Sequence, residues 1–233
     1  MFIRLPLEEQ VYRFHDRFQA GKRLASRLTQ YSDRSDVHVL ALPRGGVPVA
    51  FEIAQAIHAP LDIFMVRKLG VPGHEELAMG AVASGNVRTL QTDVVDAFNI
   101  PSSMIEEVTR KELLELARRE RIYRGSRSAP QIRGQTVIVV DDGLATGSSM
   151  RAAIAALKQQ QPKRTIVAVP VAAPETCDEL KSETDEIICL ETPASFSAVG
   201  LWYEDFAQVT DEDVRKLLER SEQRHGSERS GQT

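Results

Sequence analysis

The sequence predicts an α/β fold in which helices flank a parallel β-sheet. Two observations carry this prediction. Short apolar runs rich in β-branched residues alternate with segments of helical periodicity along the 233 residues. One run, Val137–Val140, is followed by two acids and a turn of small residues, as expected where a buried strand ends beside a ligand. We expect a single domain over residues 1–218.

Strands are predicted wherever a short apolar run is bounded by turn residues. These runs are Val37–Leu42, Leu61–Val66, Thr136–Val140, Thr165–Val171 and Glu186–Leu190. Two shorter runs, Ala81–Ala83 and Val87–Leu90, predict a hairpin around Gly85 and Asn86.

Helices are predicted where apolar residues recur every three or four positions. The helical segments are residues 12–31, Val49–Ile57, Ile105–Ala117 and Met150–Leu157. Pro48 is compatible with the second of these, because proline is tolerated in the first turn of a helix.

Loops are predicted where glycine, proline or polar residues dominate. Leu69–Met79 contains three Gly or Pro residues and is predicted to be a loop that could close over a site as a mobile lid. Gly125–Gly134 is polar and is also predicted to be a loop. Glu219–Thr233 contains no aliphatic or aromatic side chain, so we expect a frayed helix end and a disordered polar tail over residues 219–233.

Composition and charge exclude several classes of protein. With 42% hydrophobic and 27% charged residues, the chain is not disordered throughout. Its net charge of −4 argues against a general nucleic-acid binder. The local excess of basic residues over Arg110–Arg133 is predicted to be an exposed helix face plus a loop, although it could steer a polyanion.

The two cysteines and the N-terminus bear on the compartment. Cys177 and Cys189 have no metal-ligand spacing, so two reduced thiols are expected. No apolar run approaches the roughly 18 residues of a membrane span, and the N-terminus lacks the apolar core of a signal peptide. We therefore expect a cytoplasmic protein.

The most informative segment runs from Val137 to Met150. Asp141 and Asp142 end a strand, and the turn Ala145–Ser149 then opens a helix. Small side chains, hydroxyls and a helix N-terminus suit a phosphate, whereas two adjacent carboxylates suit sugar hydroxyls or a magnesium ion. The alternative is an acidic strand end followed by a helix that Ser148 or Ser149 caps.

This segment resembles the phosphoribosyl-pyrophosphate (PRPP) motif of type I phosphoribosyltransferases, which have a Rossmann-like parallel sheet. The resemblance implies that Asp141 and Asp142 contact the ribose hydroxyls. It implies that the 5′-phosphate is held by Ala145, Thr146, Gly147, Ser148 and Ser149. Over roughly residues 12–218, the chain also resembles a subgroup of predicted phosphoribosyltransferases whose acceptor is not established.

Two further segments are similar to the pyrophosphate-binding parts of that family. Arg44, Gly45 and Gly46 follow the first core strand, where the family binds pyrophosphate, and the glycines free the backbone to approach an anion. Arg67 and Lys68 end the second predicted strand, and the resemblance implies that one of them contacts the leaving group. A tight turn and a solvated turn are the respective alternatives.

An aromatic stretch near the C-terminus suggests a small hood. The hood is expected over about residues 192–206 together with the N-terminal segment. Phe196 and Trp202 are candidates to stack on a base, although a patch that closes the core is equally compatible. Family members carry an acid where this chain has Ala194, so base recognition by the stretch is a weaker expectation.

Taken together, these residues predict transfer of a phosphoribosyl group from PRPP to a nitrogen nucleophile, expected to be a nucleobase, with release of pyrophosphate in nucleotide metabolism. Asp141, Asp142 and Lys68 are the expected catalytic residues. Magnesium is expected to arrive with the substrate, and a homodimer is expected. The alternatives are the reverse reaction, in which a nucleotide is cleaved by pyrophosphate, and a non-catalytic regulatory protein that senses PRPP.

Overall fold

The computed structural model describes residues 13–125 and 127–230, with side chains described as far as Arg224. The strands are β1 (Val37–Ala41), β2 (Leu61–Ile63), β3 (Val66–Val71), β4 (His74–Ala83), β5 (Val87–Leu90), β6 (Thr136–Val140), β7 (Arg164–Val171) and β8 (Glu186–Glu191). The helices are α1 (Arg17–Ala25), α2 (Gly46–Ala56), α3 (Thr92–Ala97), α4 (Ser102–Arg124), α5 (Ser148–Gln159), α6 (Pro174–Leu180) and α7 (Asp211–Ser230).

Five parallel strands form the central sheet in the order β2-β1-β6-β7-β8. The predicted α/β class with a parallel sheet is confirmed. Chain order reverses between β1 and β6, where Ala41 pairs with Val140, so both strands end at the same level. In sheets of this kind, ligands bind in the crevice outside the carboxyl ends of the strands at this switch point.

Apolar side chains cover both faces of this sheet. All five residues of β6 are buried, because helices pack on both sides of the strand. One core lies between the sheet and α2, α4 and α7, and a second lies between the sheet and α5. The sheet is therefore rigidly supported, and the loops at its carboxyl end are built on fixed strand ends.

The expected loop over Leu69–Met79 is wrong. Strands β3, β4 and β5 form a separate antiparallel sheet, with a tight turn around Pro72 and Gly73. The hairpin predicted around Gly85 and Asn86 is confirmed. Since β2 ends at Ile63, Arg67 and Lys68 lie inside β3 rather than at the end of the second strand.

The segment before α1 pairs with the segment around Trp202. Helix α1 occupies only Arg17–Ala25 of the predicted 12–31, and Tyr12 lies outside the described residues. The Phe14 N–H donates to the Trp202 carbonyl at 2.8 Å, and the Glu204 N–H donates to the Phe14 carbonyl at 2.8 Å. This short pairing joins the segment before α1 to the C-terminal aromatic stretch, residues 192–207, which we call the hood; that it covers a binding site stays a prediction. The rest of the N-terminal segment assigned to the hood also lies outside the described residues.

Helix α7 continues to Ser230, whereas the sequence predicted a frayed helix end and a disordered tail over residues 219–233. Ser221 is buried, and the Arg220 guanidinium lies 5.0 Å from the centre of the Phe51 ring. The tail lacks apolar side chains, but among its described side chains Arg220 contacts Phe51 of α2 and Arg224 donates a hydrogen bond to Gln55 of α2. Residues 231–233 lie outside the described part of the chain.

The expectation of two reduced thiols is also wrong. Cys177 of α6 and Cys189 of β8 form a disulfide. They are 12 positions apart in sequence, and the packing of α6 against β8 brings their Cα atoms to 7.0 Å. Among the described residues, no helix is long and apolar enough to cross a membrane.

Candidate active site

Asp141 and Asp142 lie at the carboxyl end of β6, at the switch point of the sheet. The Asp142 side chain is 15% exposed. The Asp142 N–H donates to Asp141 Oδ1 at 2.9 Å, which fixes the first carboxylate against the backbone of the second residue. The two acids therefore form one rigid unit at the end of the strand.

The loop after β1 lies directly against Asp142. A Cβ atom placed on Gly45 would be 2.0 Å from Asp142 Oδ2, and one on Gly46 would be 2.5 Å from the Val140 carbonyl oxygen. Only glycine allows this approach. Arg44, whose peptide bond to Pro43 is cis, lies 3.6 Å from Asp211 of α7 and remains partly exposed. Gly45 and Gly46 thus lie against the acids, and pyrophosphate binding by Arg44, Gly45 and Gly46 stays a prediction.

The turn Ala145–Ser149 leads from the acids into α5. Gly147 is the residue that precedes the helix, with a left-handed φ of 67°, and no side chain caps the helix N-terminus. The alternative in which Ser148 or Ser149 caps the helix is therefore wrong. Within the described part of the chain, the Thr146 and Gly147 amides have no hydrogen-bond acceptor. The turn accordingly presents amides, hydroxyls and a helix N-terminus to an anion.

Helix α6 supports this turn from behind. The Thr176 hydroxyl donates to the Ala145 carbonyl oxygen at 2.7 Å. A Cβ on Gly147 would lie 2.6 Å from the Thr176 methyl carbon. The turn is thus held in shape by a contact that the sequence analysis did not foresee.

Arg17 and the hood hold Asp142 from the opposite side. Arg17 Nε donates to Asp142 Oδ2 at 2.8 Å, and Arg17 Nη1 donates to the Ala207 carbonyl at 2.9 Å. The guanidinium lies 3.8 Å from the centre of the Phe206 ring. The Tyr203 hydroxyl donates to the Asp142 carbonyl oxygen at 2.6 Å.

The acids resist ionisation to different degrees. Burial and the neighbouring Asp142 carboxylate raise the pKa of Asp141 well above its usual value. Burial also raises the pKa of Asp142, and the bonded Arg17 guanidinium opposes that shift. Burial next to the acids raises the pKa of Tyr203, which therefore stays a neutral donor. Arg17 thus favours the ionised form of Asp142 more than that of Asp141.

Arg67 and Lys68 occupy a different environment. Arg67 Nε forms an ion pair with Glu112 of α4 at 2.5 Å. Arg67 and Lys68 line a cavity of about 980 Å³ between β3 and α4. The described lining of this cavity contains neither Asp141 nor Asp142. The structure thus brings Gly45 and Gly46 to the acids, whereas Arg67 pairs with Glu112.

The aromatic candidates belong to the hood. Phe196 and Trp202 are partly buried and pack against a small core of Phe14, Val171 and Tyr203. Among the described residues, the buried Trp202 Nε1 has no hydrogen-bond partner. The two side chains form part of the packed hood, and base stacking by them stays a prediction.

Arg17 was not among the residues predicted from the sequence. Phe18 is 37% exposed, whereas the buried face of α1 contains Arg17, Gly21 and Leu24. A charged residue at a buried periodic position is the signal that would have identified it. Tyr203 and Phe206 belong to the aromatic stretch, but no pattern assigned them to Asp142.

The described residues contain no cluster of three or more His, Cys, Asp or Glu side chains able to hold a metal ion. Two adjacent carboxylates do not by themselves complete the coordination of Mg²⁺, which takes several further oxygens from water or phosphate.

Comparison with known proteins identifies the family. A model described as "Phosphoribosyl transferase domain" matches residues 8–204. A Mycobacterium tuberculosis protein named as a phosphoribosyl transferase is 43% identical over 208 residues, which cover 89% of this chain and 47% of the relative. The same values hold for its counterpart in a second strain. Since 47% of each relative is covered, the chain spans about half the length of the curated relatives it matches.

A solved structure agrees in fold and sequence. The crystal structure of TT1426 from Thermus thermophilus has a TM-score of 0.79 and 42% identity, and the match covers 88% of this chain and 97% of that one. The family match includes both the loop after β1 and the acids and turn after β6. The chain belongs to the phosphoribosyl transferase domain family.

Proposed function

We propose that this protein transfers the phosphoribosyl group of PRPP to a nitrogen nucleophile of the nucleobase type and releases pyrophosphate. The observation that carries the proposal is the contact between Gly45 and the Asp142 carboxylate. It joins two anion-binding loops, Arg44–Gly46 and Ala145–Ser149, on either side of a pair of acids. A ligand with a phosphate, a ribose and a pyrophosphate matches that order of groups.

Each part of the site has a role in this proposal. The Ala145–Ser149 turn holds the 5′-phosphate through its amides and the N-terminus of α5. Asp141 and Asp142 accept hydrogen bonds from the ribose hydroxyls. The Arg44–Gly46 loop holds the pyrophosphate through backbone amides and the Arg44 charge. Catalysis rests on positioning and electrostatics, since the bond to the ribose C1 breaks with no need for a protein nucleophile.

Magnesium is proposed as the cofactor. If it enters with the substrate, Mg²⁺ would supply positive charge to offset the charge on the leaving pyrophosphate. The protein would supply the fixed oxygens and amides around that complex, as the pair of carboxylates and the two loops allow.

Titration calorimetry with PRPP and MgCl₂ tests the binding step. We expect heat of binding in the wild type, and a loss of affinity of about tenfold or more in Asp142→Asn because the ribose hydroxyls lose a charged acceptor. Asp178→Asn on the exposed part of α6 is the matched control and should bind like the wild type. Equal affinity in Asp142→Asn and the wild type would contradict the assignment of the ribose subsite.

A second candidate function is a regulatory protein that binds PRPP without turnover. The ion pair of Arg67 with Glu112 favours it, since it occupies a cation expected at the leaving group. A pyrophosphate-release assay over purine and pyrimidine bases separates the two functions. Release with any base supports the transferase, whereas silence with every base and intact PRPP binding supports the sensor.

A further inference from the structure

Arg17 joins three parts of the molecule that are distant in sequence. It is the first residue of α1, and its side chain is only 10% exposed. Its guanidinium contacts the Asp142 carboxylate, the Ala207 carbonyl and the face of the Phe206 ring. One side chain therefore links the first helix, an acid of the motif and the hood.

The geometry uses the shape of a guanidinium as well as its charge. Nε and Nη1 point to two different acceptors, at 2.8 and 2.9 Å, while the plane of the group lies over an aromatic ring. A planar fork can do all three at once, but an ammonium cannot. Among the described residues, Arg17 is the one cation that forms an ion pair with Asp142.

Asp142 has little freedom while this contact lasts. Its Oδ2 atom accepts from Arg17 Nε and lies against Gly45, and its carbonyl accepts the Tyr203 hydroxyl. If Arg17 is removed, the Gly45 contact and the Tyr203 bond remain, but nothing among the described side chains holds the carboxylate itself. The orientation of that carboxylate therefore depends on Arg17.

We propose that Arg17 is a positioning residue that fixes the Asp142 carboxylate for the ribose hydroxyls and couples this acid to the hood through Phe206 and Ala207. The inference rests on the proposed function, because it assigns ribose binding to Asp142. It adds a residue outside the motif on which PRPP affinity depends.

The test is a double-mutant cycle in calorimetry with PRPP and MgCl₂. Arg17→Gln should lower PRPP affinity on the order of tenfold to hundredfold, because a hydrogen bond between two charged groups is lost. Once Asp142→Asn is present, adding Arg17→Gln should change affinity by less than about twofold, since Arg17 acts through that carboxylate. Arg17→Lys keeps the charge without the fork and should restore part of the affinity.

The matched control is Arg23→Gln on the same helix. Arg23 also pairs with an acid, Glu191, and lies 5.2 Å from the centre of the Phe14 ring, but it does not contact Asp142. It should retain wild-type affinity. Thermal unfolding of each variant identifies any that fail to fold. If the Arg17 variants fail to fold, Phe206→Leu serves instead, because it removes only the ring beneath the guanidinium, and it should still weaken PRPP binding.

Three results would overturn the inference. Arg17→Gln could match Arg23→Gln, its effect could add in full to that of Asp142→Asn, or PRPP affinity could rise, which would make Arg17 a competitor of the ribose. All three presuppose binding by the wild type. Absence of PRPP binding by the wild type would instead refute the proposed function, and the role of Arg17 with it.

Discussion

Asp141 and Asp142 show how far residue types alone can predict a site. The adjacent acids, the glycines after β1 and the small-residue turn were identified from the chain, because each is a local pattern at a strand end. Arg17, Tyr203 and Thr176 were not, since they reach the site from other elements through tertiary packing. The prediction that gave Arg67 to pyrophosphate depended on where β2 ends, which the apolar run placed three residues too late.

Removing the charge of Asp141 should stabilise the folded protein. Its folded-state pKa is raised, so the folded protein is penalised wherever unfolded Asp141 is ionised. Asp141→Asn should raise the free energy of unfolding at pH 7 by about 1–3 kcal/mol. The gain should shrink as pH falls through the folded pKa and vanish below the unfolded value of 3.8.

Urea unfolding of Asp141→Asn and the wild type at pH 7 and pH 4 measures this. Asp185→Asn is a suitable reference for a general effect of Asp→Asn. Asp185 comes just before β8, at the amino ends of the strands, whereas the acids lie at the carboxyl ends. A stability gain that does not change with pH would contradict the assignment of the shift to Asp141.

Gly45 should tolerate no side chain. A Cβ would lie 2.0 Å from Asp142 Oδ2, so Gly45→Ala must displace the carboxylate and its bond to Arg17. We expect PRPP affinity to fall by about tenfold or more. Gly73→Ala, in the open turn of the β3–β4 hairpin, should bind PRPP normally, and equal affinities for the two variants would show that the close approach is not needed.

At the scale of elements, the apolar runs predicted the parallel strands well. Glycine and proline residues were a poorer guide to where the loops lie. Gly70, Pro72 and Gly73 indicated a loop, but antiparallel pairing and the packing of α4 turn the segment into two strands. The exposed helix face predicted within Arg110–Arg133 is confirmed for α4. Arg118 and Arg119 pair with Glu115 on that exposed face, and Arg124 pairs internally with Asp62, so part of the positive charge is neutralised.

The polar end of α7 should contribute to stability. A chain that stops after Leu218 loses the buried Ser221, the Arg220 contact with Phe51 and the hydrogen bond from Arg224 to Gln55. We expect it to unfold about 1–3 kcal/mol more easily in urea, because the helix end beside Leu217 is then free to fray. A chain that stops after Ser230 is the control. If the two chains have the same urea midpoint, the tail adds no stability, as its composition predicted.

At the scale of the whole molecule, chain topology explains why the central site could be anticipated. Alternating strands and helices imply a parallel sheet, and a parallel sheet gathers its strand ends at one edge. The sequence assigned the hood to residues 192–206 and the N-terminal segment, but it could not predict that Phe14 pairs with Trp202 and Tyr203, because that pairing depends on tertiary packing. A single domain over residues 1–218 and a homodimer both stay predictions, and sedimentation velocity would measure the second.

The pairing of Phe14 with Trp202 and Tyr203 also bears on the order in which the parts of the molecule fold. Contacts that close nearly the full length of a chain carry the largest loop-closure cost, and a chain of this size folds through intermediates. The five-stranded sheet should therefore form before the hood. Trp202 is the sole tryptophan of the chain, so its fluorescence reports hood closure alone. In refolding from urea, that signal should lag behind far-ultraviolet circular dichroism, and PRPP binding should appear with the later of the two.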